Sequence, residues 1–107
     1  MNLYENLEYI AGGERIDLLL QDKNLRIERI TSSKAPSGPY NQFEDEWVLV
    51  LEGWAILEIS GKKVKLTKGD NYFIRSFTEH SVLETSEKCL WLCVFVTTRE
   101  DGMVNTG

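Results

Sequence analysis

The sequence predicts an all-β protein, an antiparallel β-barrel of jelly-roll type, on three observations. Turn-forming residues recur at short intervals, at Asp22-Lys23-Asn24, Gly53, Gly61 and Lys68-Gly69-Asp70. The runs between them are rich in Val, Ile, Leu, Tyr and Trp and carry no helical segment, so a sandwich or barrel follows. One run, Glu46 to Glu52, is apolar on both faces, which suits a strand covered on two sides. Helix is expected to be less than about one tenth of the chain, far below the usual third.

The elements follow in order. Residues 2–10 read as a brief helix or an irregular arm, with Leu3, Leu7 and Ile10 at helical spacing, and Gly12-Gly13 ends it. Arg15–Gln21 and Leu25–Thr31 form two strands around the turn at residues 22–24. Residues 31–42 are rich in Ser, Pro, Gly and Asn and read as the longest loop. Strands then follow at Glu46–Glu52, Ala55–Ser60, Lys63–Thr67, Tyr72–Arg75, Ser81–Thr85 and Lys88–Thr97. The chain thus divides into an N-terminal arm (1–13), a barrel core (about 14–97) and a polar, frayed tail (98–107).

Composition bounds the function. The 107 residues and 12.3 kDa make one domain with one core. A net charge of −5 and a pI near 4.9 weigh against a nucleic-acid partner, which needs clustered Lys and Arg. Lys62, Lys63, Lys65 and Lys68 are the densest basic group, and their alternation with Val64 and Leu66 reads as a solvated strand face. No membrane span or signal peptide is visible. Cys89 and Cys93 sit in a β-prone run. Four residues at about 3.3 Å each would separate their Cα atoms by roughly 13 Å, too far for a disulfide. Two free thiols fit a reducing cytoplasm.

If Glu46 points inward, alternation along Glu46–Glu52 puts Val48 and Val50 inward with it and Trp47, Leu49 and Leu51 outward. Extended backwards without a bulge, it places Tyr40, Gln42 and Glu44 on the Glu46 side. On the later strands His80, the single histidine, shares a face with Val82 and Glu84, while Cys89, Trp91, Cys93 and Phe95 share another. Outward apolar rows of this size point to a homodimer. The other reading has residues 3–10 folding over that surface within one chain.

Glu46, six residues, Gly53, then Gly69, ten residues, His80 resembles the skeleton of the two cupin motifs. The first motif runs Gly, five residues, His-x-His, three or four residues, Glu, six residues, Gly. With three intervening residues its two histidines fall on Tyr40 and Gln42; with four they fall on Pro39 and Asn41. The first register keeps Gln42 and Glu46 on one strand face. In the second motif Arg75, Phe77 and Glu84 replace the usual Pro, Gly and Asn. The resemblance, over about Ser37 to Val96, is to small single-domain cupins with degenerate metal motifs. It implies a barrel and four site positions: Tyr40, Gln42, Glu46 and His80.

Two readings of that site follow from the resemblance. In one, Gln42, Glu46 and His80 hold a divalent ion weakly, since a single imidazole leaves the site short of soft donors. In the other, His80 and Glu46 form a hydrogen-bonded pair without metal. His80 is then the candidate general base and Tyr40 or Tyr72 a proton donor, as in metal-free epimerases of this superfamily. An oxygenase triad needs two histidines and a carboxylate, which one subunit lacks. No Gly-x-Ser-x-Gly or phosphate loop is present. The function expected is binding of a small molecule in the barrel, with an acid–base or metal-dependent enzyme as the alternative.

Overall fold

The computed structural model describes residues 1–98, so the expected tail falls, beyond Thr98, outside the described residues. Nine strands form: β1 (Glu14–Asp22), β2 (Leu25–Ser32), β3 (Ser37–Tyr40), β4 (Asp45–Glu52), β5 (Trp54–Ile59), β6 (Lys62–Thr67), β7 (Asn71–Ile74), β8 (His80–Thr85) and β9 (Cys89–Val96). They build a five-stranded sheet in the order β1-β2-β9-β4-β7 and a four-stranded sheet in the order β3-β8-β5-β6. The pairings are antiparallel. The result is the expected all-β antiparallel barrel of jelly-roll type. No helix among the described residues is long and apolar enough to cross a membrane.

Alternation on β4 is as expected. Glu46, Val48 and Val50 are buried, while Trp47, Leu49 and Leu51 are half-buried on the outer face. Hydrogen-bonded neighbours on both sides, β7 and β9, leave no free edge, so every second side chain goes inward. Cys89, Trp91, Cys93 and Phe95 alternate inward on β9, and both cysteines are free thiols. The inner faces meet in a core of Val48, Val50, Ala55, Leu57, Ile59, Leu66, Ile74 and the inward side of β9. Lys62, Lys63, Lys65 and Lys68 are exposed while Leu66 is buried, in keeping with a solvated lysine face.

Two expectations need correction. Residues 31–42 are not one loop, because Ser37–Tyr40 forms β3 against β8, with Ser37 opposite Val82 and Tyr40 opposite His80. Turn-forming composition yields there to the hydrogen-bonding edge that β8 offers. Glu84 does not share the face of His80. Where β8 pairs with β5 an extra residue intervenes between Val82 and Glu84, so Glu84 is exposed and Thr85 turns inward opposite Ala55.

Residues 2–10 form an irregular arm held by one buried cation. Arg29 is only 2% exposed, on the outer face of β2. Its guanidinium donates to the carbonyls of Leu3 (3.2 Å) and Glu5 (2.9 Å) and to Asp17 Oδ2 (2.7 and 3.0 Å). Thr31 Oγ1 adds a bond to the Glu8 carbonyl. The carbonyls and the carboxylate give a desolvated guanidinium the partners that water would otherwise supply.

Two predictions follow. The Arg29 hydrogen bond is the largest influence on Asp17; burial opposes it, Arg15 adds to it, and the carboxyl is held below its ordinary value. Its contribution to stability is therefore present above about pH 3.9 and is lost as pH falls through the lowered folded value. D17N should cost about 3 kcal/mol at pH 7, read from urea unfolding, and flatten the acid limb of the stability profile. Gly53, at φ +79°, lies against the Lys88 carbonyl and Ser86 Oγ, where an added Cβ would collide. Gly61, at φ +83°, faces open space. G61A should therefore cost only the backbone term of about 1–2 kcal/mol, and G53A clearly more.

Candidate functional site

The two sheets close on apolar side chains at one end and stand apart at the other, leaving a cavity of about 270 Å³. Val48, Leu57, Ile74 and Trp91 form its apolar wall, and Trp91 Nε1 is tied to Ser32 Oγ at 3.0 Å. Gln42, Glu46 and His80 face this space, and Tyr40, 38% exposed, stands at its edge. The structure thus brings together all four residues taken from the motif spacing. Glu44 does not join them. The chain bends at residues 43–44 before β4, and Glu44 pairs instead with Arg26.

The geometry fixes protons. His80 Nδ1 lies 2.9 Å from the Thr78 carbonyl oxygen, which can only accept, so Nδ1 carries the hydrogen. That leaves Nε2 facing Glu46 Oε1 at 3.4 Å. Gln42 Nε2 donates to the same oxygen at 3.1 Å. The His80 ring lies 5.4 Å from that of Tyr40, tilted by 37°. His80 is 5% exposed and Glu46 9%. Burial pulls the imidazolium pKa down, but the bond to Glu46, the bond to Thr78 and the Glu46 charge outweigh it, and the net shift is upward from 6.5. The pair can thus hold a proton on Nε2 within the cavity and return it.

The motif implies a divalent ion held by Gln42, Glu46 and His80. His80 and Glu46 are ordinary metal-ligand types, but Gln42 turns its amide N–H toward Glu46 rather than its oxygen toward a shared centre. Among the described residues no group of three or more His, Cys, Asp and Glu side chains is placed to hold a metal ion. Catalytic zinc sites use three protein ligands and structural ones four. One imidazole and one carboxylate, already facing each other, do not fit a resident transition metal.

The motif spacing does not reach a further part of the lining, on the β1–β2 side of the five-stranded sheet. Glu14 and Ile16 of β1 and Arg26, Glu28 and Ile30 of β2 also line the cavity. Arg26 lies 4.0 Å over the Phe95 ring and is clasped by Glu28 and Glu44. Alternation could have grouped Arg26 with Glu28 and Ile30. It could not have told that face from Ile27, Arg29 and Thr31, because both carry an arginine. Glu14 is raised above the usual carboxylate range, first by burial and then by the charge of Glu28.

Comparison with known proteins follows from this geometry. Residues 33–95 match a family model described as "Cupin domain". A protein from Ralstonia eutropha JMP134, proposed to be a mannose-6-phosphate isomerase, is 32% identical; the alignment covers 92% of this chain and 97% of that one, with a TM-score of 0.85. KdgF from Halomonas sp. is 19% identical over 96% of both chains, TM-score 0.77. An RmlC-like cupin from Shewanella frigidimarina NCIMB 400 is 22% identical over 88% of this chain and 85% of that one, TM-score 0.74. The last two likenesses speak to the fold alone. No curated protein matches the chain.

The His80–Glu46 pair yields a pH prediction. A folded pKa raised above the unfolded value stabilises the fold fully below about pH 6.5, and the gain fades as pH rises through the folded value. E46Q should lower the His80 pKa and remove that pH-dependent increment. The single imidazole makes the titration readable by NMR; an unchanged His80 pKa in E46Q would refute the pairing.

Proposed function

We propose that this chain, which belongs to the cupin family, binds a small polar molecule in the open end of its barrel and positions it on the Glu46–His80 pair. The observation that carries this reading is a buried acid–base pair, His80 Nε2 and Glu46 Oε1 at 3.4 Å, facing a cavity with an apolar wall. That combination of hydrophobic lining and a few convergent polar groups is the general form of a small-molecule site. A volume of about 270 Å³ restricts the ligand to metabolite size. Tyr40 and Gln42 complete the polar rim: one offers a hydroxyl at the mouth, the other an amide beside Glu46.

A second reading, a metal-free isomerase working by proton transfer, is favoured by the raised pKa of His80. An imidazole beside a carboxylate can take a proton from a substrate and return it to an oxygen or carbon, and Glu46 would stabilise the imidazolium that forms. The Ralstonia neighbour is proposed as an isomerase, which supports this class without naming a substrate for the present chain. In this reading His80 exchanges the proton and Tyr40, across the mouth, orients the ligand. Neither reading includes a tightly held metal; an ion on Glu46 and His80 alone would be weak and largely water-coordinated. The two free thiols fit a reducing compartment such as the cytoplasm.

The quaternary reading is a homodimer. Trp47, Leu49 and Leu51 are half-buried on the outer face of the five-stranded sheet, and Phe73 beside them is 47% exposed. The arm is fixed on β2, toward the other edge of that sheet, by Arg29 and Thr31. Two copies meeting through β4 and β7 would bury this row, and two-fold pairing is the commonest symmetry. Light scattering should then report twice the 12.3 kDa chain mass; a monomer across the micromolar range would exclude the dimer.

Binding is tested by NMR titration of untagged protein with neutral sugars and polyols. The Trp91 indole N–H and the His80 ring should shift together with a saturating curve, and E46Q should weaken binding about tenfold. Shifts confined to residues outside the cavity would sink the proposal. Dialysis against a chelator followed by elemental analysis should leave no stoichiometric zinc or nickel.

A further inference from the structure

The cavity carries an excess of negative charge, and this constrains what can enter. Glu14, Glu28 and Glu46 line it, and Glu44 joins them through Arg26. Against these four carboxylates stand two cationic side chains, Arg26 and His80, and both are already engaged. The Arg26 guanidinium is shared between Glu28 and Glu44 and stacked on Phe95. His80 faces Glu46. Among the described residues no cation lies within ion-pairing distance of Glu14.

We propose that the ligand of this cavity is a small organic cation, an amine-bearing polyol in size and polarity, whose ammonium group is received beside Glu14 and Glu28. The inference rests on the reading of the cavity as a ligand site and deepens it.

Three observations support the assignment. An anionic ligand would need free cations, because phosphate and carboxylate recognition depends on charge-assisted donors. Among the described residues the one guanidinium that lines the cavity, Arg26, donates to two carboxylates, Glu28 and Glu44. Second, the cavity already holds a cation over an aromatic ring, since Arg26 lies 4.0 Å over Phe95. Trp91 and Tyr40 supply further aromatic surface for a ligand ammonium. Third, the buried Cys93 thiol in the cavity wall is pushed well above its ordinary pKa, first by burial and then by Glu46, Glu28 and Glu14. The field in the cavity therefore disfavours a further negative charge, and an arriving ammonium would relieve the crowding of Glu14 against Glu28.

The assignment sets this chain apart from the ligand in the name of its Ralstonia neighbour. A sugar phosphate would place a dianion against Glu14 and Glu28 with no free cation to meet it. A shared fold does not by itself carry over that charge preference, since one barrel hosts many ligands.

The test compares three ligands with one carbon skeleton and different charge: glucamine, sorbitol and sorbitol 6-phosphate. Dissociation constants are measured at pH 7 on the untagged full chain by NMR, following the His80 ring and the Trp91 indole. Glucamine should bind about tenfold tighter than sorbitol, and sorbitol 6-phosphate more weakly than either. Raising the salt concentration should narrow the glucamine-to-sorbitol ratio. E14Q should cut that ratio to about threefold or less; E14Q is expected to fold because Glu14 is exposed at the rim. If sorbitol 6-phosphate binds tightest, or if E14Q leaves the ratio intact, the charge assignment falls while the cavity remains a ligand site. If none of the three moves the His80 and Trp91 signals, both the assignment and the ligand-site reading are overturned.

Discussion

A carboxylate on the inner wall of a barrel must find its partners across the gap between the sheets, and Glu46 is that group here. It sits on β4, in the five-stranded sheet, whereas His80 sits on β8, in the four-stranded sheet. Their contact at 3.4 Å, with Gln42 on the same oxygen, bridges the sheets at the open end of the barrel. Burying an ionised carboxylate alone would cost several kcal/mol. The contacts with His80 and Gln42 remove much of that cost and set an acid–base pair inside the cavity. The fold and the chemistry therefore depend on the same contact.

The remainder of the barrel makes that contact possible by dividing its labour lengthwise. At the closed end Val50, Ala55, Leu66 and Cys89 are packed, with exposures between 0% and 4%, and supply the apolar burial that stabilises the domain. At the other end β4 carries Glu46, β8 carries His80 and the segment between β3 and β4 carries Gln42, with space left between them. Because strands alternate, one row can serve both ends: Val50, Val48 and Glu46 run from core to site along β4. The outer face has its own constraint. Arg29 is as buried as the core and serves as the anchor for an arm with no regular secondary structure of its own.

Electrostatics separates this cavity from others on the same scaffold. Fold membership says little about ligand, since one barrel hosts many chemistries. What distinguishes this chain is the pairing pattern on its walls: one acid–base pair across the sheets, and one guanidinium wholly engaged by two glutamates. Among the described residues that line the cavity, the charged group without an ion-pair partner is the Glu14 carboxylate.

Much of this was determined by sequence alone. The strands and their turns are local consequences of a period of two and of residues that favour turns. Glu46, Val48 and Val50 therefore group on one face of β4 from sequence alone, while burial in the fold decides that this face is the inner one. The resemblance to the two cupin motifs pointed to Tyr40, Gln42 and His80, which no local pattern of their own strands would have joined. Tertiary structure decided what depends on a partner strand. The extra residue in β8 that exposes Glu84 exists only in its register with β5. Strand β3 forms from turn-like residues because β8 offers it an edge. The facing of Arg26 and Arg29 could not be told apart on β2, where both faces carry charge, until the arm covered one side and the cavity opened on the other. A side chain's face is written in its own strand; what it faces is set by residues far away in the chain.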